Sequence, residues 1–385
     1  MTTGTTTSAN FSVSPQVLIE AVRARLPGMR LVGSLGIVAI NSSLPMDKYV
    51  GETVTVPYLA SLGQMREYAE NAEIDVDQIA STGETSTVAR AGKAFNLTNM
   101  ARVLRGYANP LEEGQRMMVD SVGDYVERKG ITALVGLGTT QPSLKRSIHS
   151  ASSPAYYDVD AHLYARSIFG DETRGIVGTI AHSQTVNRML SLKDGDGRRL
   201  LPVVSRNDET GLIVFESVGP VYASDLMPVV YTVASAGTAP PVLTITGSPR
   251  GLYDQIRVEI TTLGARGTAV CRVSTDGGNS YVASNQLIPA SDGIVDLSDS
   301  IGLVLTFAAG TYAVDNVYTS RAKFTTMTAK RGAAIFWHNN FGNVDELVDP
   351  RRSSKITALE LLSVCHAYKR LDMGTRAGVG LVEHN

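Results

Sequence analysis

His182 and Ser183 stand side by side ahead of an apolar run, and an imidazole next to a hydroxyl could in principle serve as base and nucleophile. Adjacent residues at a helix start rarely face each other, and no G-x-S-x-G elbow surrounds them, so capping and packing is the expected role. Asp194-Gly195-Asp196-Gly197 has the look of a calcium loop, yet Ser205 stands where an EF-hand needs its bidentate glutamate, and a plain turn is expected. Asp276, in Asp276-Gly277-Gly278-Asn279, reads as part of a hairpin turn rather than as a surface calcium ligand. The six histidines (149, 162, 182, 338, 366 and 384) form no H-E-x-x-H pattern and have no CxxC companion. Cys271 and Cys365, the only cysteines, offer neither a disulfide framework nor a zinc site and suit a reducing compartment. Gly136 to Gly138 and Gly374 to Gly380 lack Walker and Rossmann spacing and read as loops. The expectation is no catalytic residue, no metal and no cofactor.

The densest set of ionisable groups lies elsewhere. Between Leu59 and Thr85, six carboxylates (Glu67, Glu70, Glu73, Asp75, Asp77 and Glu84) stand against the single Arg66. Like charges so close repel unless screened or paired. They form either a solvated loop tip or an arm seeking basic groups on an adjacent subunit, with basic residues near the C-terminus as candidate partners. A hairpin from Gly51 to Thr98 is expected to carry them. Glu52 to Tyr58 alternates polar and apolar, Thr87 to Leu97 is its expected partner, and the connection is about thirty residues long. A two-stranded ribbon of that length buries little of its own surface and is marginal unless it lies on a neighbouring molecule.

The rest of the chain must position this arm. At 385 residues it can form a sizeable core in two units, and its net charge of -2 argues against a dedicated nucleic-acid binder. Met1 to Asn10 has no basic start and no apolar run, and no stretch of about 18 apolar residues occurs, so neither a signal peptide nor a membrane span is expected. Ser14 and Pro15 open a short helix reaching Pro27, the start of an N-terminal arm. Asn109 as N-cap, Pro110 at the first helical position, and Glu112 and Glu113 in the first turn announce an amphipathic helix that ends at Lys129 and Gly130. Helices over 158–169 and 182–192, with a buried strand over 176–180, make the middle mixed. From Tyr231 to Ser320 there is no lysine and no helical pattern, but six or seven strand-like runs, which suit a small immunoglobulin-like sandwich inserted into a host domain. The host resumes at Lys323 with a strand over 333–337, an irregular stretch to Pro350, a buried run from Ile356 to Ala367 and a glycine-rich tail.

In this order, several strings resemble successive elements of tailed-bacteriophage major capsid proteins with the Hong Kong 97-type fold. Gly51-Glu52-Thr53-Val54-Thr55-Val56-Pro57 resembles the opening of the E-loop, and Asn109-Pro110 with its amphipathic run resembles the spine helix. Ala181-His182-Ser183, with Leu190 and Lys193-Asp194-Gly195, is similar to the strand, helix and turn of the A domain. Val221-Tyr222-Ala223-Ser224-Asp225-Leu226-Met227-Pro228 resembles the element that follows, and Arg331 to Phe336 the strand that closes the shell domain. The match is collinear over residues 51–228 and 323–349. The sandwich departs from the minimal fold, and its Val273-Ser274-Thr275-Asp276-Gly277-Gly278 string resembles β-sandwich modules appended to other phage structural proteins.

The resemblance implies an α+β, Hong Kong 97-like phage capsid fold. It has an N-terminal arm (1–50), an E-loop hairpin (51–98), a shell core with spine helix, P and A domains (99–230 and 321–385), and an inserted all-β sandwich (231–320). It implies a non-enzymatic major capsid protein that assembles with itself, as hexamers and pentamers, into an icosahedral shell. That shell encloses double-stranded DNA, contacted non-specifically, in a virion assembled in the host bacterial cytoplasm. Glu67, Glu70, Glu73, Asp75 and Asp77 would be inter-subunit contacts of the E-loop, and Asn109 and Pro110 the start of the spine helix. Portal, scaffold and decoration proteins are the further partners implied, with no membrane. The alternative is a phage tail or surface-adhesion protein whose sandwich binds host carbohydrate. That reading needs an exposed aromatic platform, whereas most of Tyr231, Tyr253, Tyr281, Phe307, Tyr312 and Tyr318 must fill the sandwich's own core. A hydrolase would need paired carboxylates in a cleft, and here they sit on the expected arm.

Overall fold

The structure, a computed structural model, describes residues 35–41, 49–50, 53–59, 81–98, 110–150, 154–170, 173–193, 196–207, 212–250, 255–338, 344–349, 354–368 and 377–385. Among these residues, three α-helices stand beside twenty-four strands, so the architecture is mainly β where α+β was expected. Stretches expected as irregular or as a tail are strands: Val344–Asp349 folds back on the strand that follows it, with Asp349 opposite Ser354, and Val379–His384 finds a partner distant in sequence, with Leu381 opposite Lys145. The chain divides into two compact units.

In the first unit (1–140, 174–177 and 329–378), helix α1 spans Pro110–Thr140, with Pro110 as its first residue. Asn109 lies outside the described residues. The helix runs past Gly130, where the sequence suggested an end. Gly130 is buried in the same stripe as Met118, Val122, Val126, Leu134 and Leu137, so it continues the packed face instead of serving as a C-terminal stop. Gly136, exposed, and Gly138, buried, are also helical and do not form a loop. Ser354–Ala367 is the longest strand of this unit's five-stranded sheet, and α1 packs on it, with Tyr125 Oη 3.1 Å from Ser363 Oγ.

The hairpin differs from expectation in its second strand. Thr53–Leu59 pairs antiparallel with Ser81–Thr87, from Thr53 opposite Thr87 to Leu59 opposite Ser81. Ala89–Thr98, which overlaps the expected return run of 87–97, instead pairs over ten residues with Ser354 to Ser363 of its own chain. An alternating pattern shows that a strand is half-buried without naming its partner, and the long apolar run beyond residue 354 offers the longer ladder. Glu67, Glu70, Glu73, Asp75 and Asp77 lie outside the described residues, as does the expected helix of the N-terminal arm.

The second unit (141–173, 178–328 and 379–385) is built on an eleven-stranded sheet. Helix α2, Val159–Ser167, is capped by the Asp158 carboxylate, which accepts from the Ala161 amide at 2.9 Å; helix α3 spans Ser183–Ser191. Val317–Lys330 is the strand that unifies this sheet. Its first half pairs with Val229–Ala236 over eight residues and with Ile256–Thr262, while Ile176–Ala181 and Val379–His384 also join it. The expected glycine-rich tail is thus a buried strand. At Gly380 a Cβ would come within 2.7 Å of the Ala165 carbonyl of α2, an approach only glycine permits.

A three-stranded sheet of Leu243–Gly247, Leu303–Phe307 and Ile294–Leu297 faces the strands Ile256–Thr262 and Val270–Ser274 across a shared core. Phe307 is fully buried there, edge-on to Tyr312 at 5.6 Å and to Tyr318 at 6.5 Å. Phe307→Ala is expected to cost about 3–5 kcal/mol, from lost transfer energy plus the cavity left behind. Denaturant titration should show the midpoint falling with the slope unchanged; a shift below about 1 kcal/mol would mean this core does not depend on the ring.

Candidate functional site

His182 precedes α3, and its buried Nδ1 accepts the Gln184 amide at 3.2 Å. Burial pushes this imidazole below its ordinary pKa against the opposing pull of Asp225, so the ring is neutral with its proton on Nε2. That nitrogen lies 2.8 Å from Ser248 Oγ and therefore donates to it. A ring that donates to a hydroxyl cannot take that hydroxyl's proton, so Ser248 is not activated as a nucleophile. Ser183 Oγ donates instead to Asp225, whose side chain is 70% exposed. His182 is a helix cap that also holds the Ser248 side chain, while Gln184 Nε2 donates to the neighbouring Pro249 carbonyl at 3.2 Å. Ser248 escaped the sequence reading because it lies 66 residues away.

The other groups singled out by type are similarly satisfied. The Asp276 carboxylate accepts from Ser280 Oγ at 2.6 Å, the Ser280 amide at 2.9 Å and Ser274 Oγ at 2.7 Å, which holds it far below the usual carboxylate range and closes a turn. Burial pushes both thiols, Cys271 and Cys365, up to about 12, leaving them unreactive. Asp194 and Gly195 lie outside the described residues. Among the described residues no group of three or more His, Cys, Asp or Glu could hold a metal ion, and no helix is long and apolar enough to cross a membrane.

Of the six carboxylates in the acidic segment, Glu84 is described, and its environment corrects the expectation that it seeks an adjacent subunit. Its Oε2 lies 3.4 Å from Nε2 of the buried His366, whose Nδ1 is 2.7 Å from Ser86 Oγ. His366 stacks on Trp337 at 6.4 Å and meets Tyr368 edge-on at 5.0 Å. Two side chains of one hairpin strand thus grip one histidine on Ser354–Ala367, which roots the hairpin in its own chain.

A second charged cluster went unnoticed in the sequence. Glu259 bridges Arg257, at 2.6 Å, and Arg272, whose Nε donates at 2.7 Å, and it also accepts from Tyr281 Oη at 2.7 Å. Burial alone would raise this carboxyl, but the Tyr281 and Arg272 hydrogen bonds and the two guanidinium charges outweigh it and hold the group below its ordinary range. Arg272 also lies over the Tyr281 ring at 4.0 Å. Only the cross-strand register, Glu259 opposite Arg272, brings these residues together.

No family model matches this chain. No curated protein matches it either. Among solved structures, similar chains come from the capsid of a native GTA particle computed with C5 symmetry (12% identity, TM-score 0.48, covering 92% of this chain and 91% of that one). Others come from the capsid of Ralstonia phage GP4 (8% identity, TM-score 0.47, 92% and 88%) and from Gordonia phage Cozz (11% identity, TM-score 0.47, 92% and 86%).

Proposed function

We propose that this chain is the major capsid protein of a tailed bacteriophage, assembling with itself into an icosahedral shell around double-stranded DNA. The observation that carries this reading is a hairpin rooted at one end and acidic at the other. Among the described residues, Thr53–Leu59 and Ser81–Thr87 pair only with each other and with Tyr49–Val50, while the continuing strand Ala89–Thr98 is locked by a ten-residue ladder into the sheet under α1. Beyond Leu59 the chain adds five carboxylates before Ser81. Such an arm gains its stability from a neighbour, as the reach between identical copies in a closed shell requires.

In this reading the fold is of the Hong Kong 97 type. Residues 51–98 are the E-loop, with Glu67, Glu70, Glu73, Asp75 and Asp77 contacting an adjacent subunit. The helix beginning at Asn109 and Pro110 is the spine, residues 1–50 are the N-terminal arm, 99–230 and 321–385 the shell core, and 231–320 an inserted sandwich. The near-neutral chain suits an inner wall that must release its genome, since a cationic one would hold phosphates through counterion release. Hexamers and pentamers are the building blocks, with portal, scaffold and decoration proteins as further partners, and assembly takes place in the host cytoplasm. The adhesion alternative has little support, because Phe307, Tyr312 and Tyr318 are buried in the sandwich core and Tyr231 packs against it.

Negative-stain electron microscopy of the purified protein, expressed alone and with its neighbouring genes, is the test. Closed uniform particles or regular capsomers are expected. Persistent monomers or trimers under both conditions would overturn the reading.

A further inference from the structure

The strands between Val229 and Lys323 present two outward faces of opposite charge. On the larger sheet, Val258, Ile260, Cys271 and Val273 fill the core, so Arg257, Glu259 and Arg272 point outward. Arg257 is opposite Thr319, which places Thr319, Arg321 and Lys323 on the same face of the long strand. Glu259 is ion-paired with both Arg257 and Arg272, and Glu383 with both Lys323 and Lys145, so each of these carboxylates is shared by two cations; Arg321 stands on the same face. The Arg257 and Arg272 side chains keep 37% and 42% of their surface exposed even while paired with Glu259.

On the smaller sheet, Leu243, Ile245, Val295, Leu297, Leu303 and Leu305 fill the core. Their alternates, Thr244, Thr246, Ile294, Asp296, Val304 and Thr306, form a flat outward face of short side chains. Exposed Asp292 and Asp299 flank Asp296; the neighbouring cations are Arg250, bonded to the Asp299 carbonyl, and Arg266, whose guanidinium lies against Gly293 and donates to the Phe307 carbonyl. The Asp292 carboxylate accepts the Ile294 amide at 3.0 Å, and that of Asp296 accepts from the Ser298 amide, at 2.9 Å, and from the Ser298 side chain.

We propose that the acidic face of this sandwich in one copy docks on the basic face of the sandwich in the next, making a head-to-tail contact between copies. The inference rests on the self-assembly proposed above and names a surface that would serve it. Two different faces on opposite sides of one module make a heterologous contact, the kind that closes into rings of identical copies. Complementary charge guides such an encounter and sets its register. The sheet shared with α2 and α3 carries the contact into the rest of the unit, since Val317–Lys330 runs unbroken from one to the other.

The test uses the full-length chain carrying Asp292→Lys and Asp296→Lys, with circular dichroism and thermal unfolding to verify the fold. Sedimentation velocity across protein and salt concentration reads association whether or not shells close. The wild type should associate, less so as salt rises, and the double variant should need about tenfold more protein to do so. Adding Thr319→Glu, which places a carboxylate on the basic face, should restore association. A double variant indistinguishable from the wild type would overturn the proposal. So would a Thr319→Glu change that weakens association alone and rescues nothing, because the basic face would then receive another anion, such as the acidic arm. A wild type that never associates would overturn this contact and the shell reading together, whereas shells closed equally well by the double variant would overturn this contact alone.

Discussion

Deleting Leu62–Ile79 from the full-length chain should yield a folded protein that closes no shells. Leu59 and Ser81 are opposite residues at the end of the hairpin ladder. The deletion leaves Ala60, Ser61 and Ala80 to join them, a three-residue connection of a common hairpin length. The root is untouched: Ala89–Thr98 keeps its ladder with Ser354–Ser363, and Glu84 and Ser86 keep their hold on His366. Thermal unfolding should therefore match the wild type. What is lost is Glu67, Glu70, Glu73, Asp75 and Asp77 together with the reach that presents them. Every subunit of a shell repeats each contact, so losing even about 3 kcal/mol per contact raises the concentration needed for assembly by about a hundredfold. Electron microscopy and sedimentation would read the outcome, and shells of wild-type size from the shortened chain would remove the arm from the assembly mechanism.

The second large effect is on acid stability. His384 is fully buried, and its pKa is lowered to about 4, first by burial and then by the nearby His149 and His182, with the Asn385 carbonyl opposing. Its Nδ1 donates to that carbonyl at 3.0 Å and its Nε2 accepts from Thr326 Oγ1 at 2.9 Å, so the neutral ring has both nitrogens satisfied. His162, also buried, is lowered to about 4 by burial and by Arg166, and its Nδ1 meets Tyr157 Oη at 3.1 Å. Both folded values lie below the unfolded 6.5. The unfolded chain therefore binds more protons between these limits, and stability falls as pH drops from about 6.5 toward 4. Each ring contributes about 3 kcal/mol at neutral pH that is gone below that window. Denaturant titrations at pH 7 and pH 4.5 should show the loss, and His384→Gln should flatten roughly half of it. A wild-type stability that stays level across this range would mean the two rings are protonated without cost.

How much of this was readable along the chain follows from the range of the interactions. Pro110 and the carboxylates of Glu112 and Glu113 mark the start of α1 because the chemistry of a helix N-terminus lies within one turn. The strand at Thr53–Leu59 is visible from its own alternation, and the sandwich strands Ile256–Thr262, Val270–Ser274 and Leu303–Phe307 from theirs. The end of α1 was not visible, since Gly130 stops a helix or continues a packed face depending on what lies against it. Nor was the grip of Glu84 and Ser86 on His366, which spans 280 residues between Ser86 and His366.

The sequence by itself determined where α1 and strands such as Thr53–Leu59, Ile256–Thr262 and Leu303–Phe307 start, and that an acidic segment follows the first of these strands. Only the tertiary structure decided which strands pair. It placed Ala89–Thr98 beside Ser354–Ala367, made a buried strand of Val379–His384, and turned His182 into a cap bonded to Ser248. The physical reason is that local propensity acts over a few residues, whereas a ladder or a buried hydrogen bond is settled by which distant segment offers the longest satisfied pairing once the chain has closed on itself.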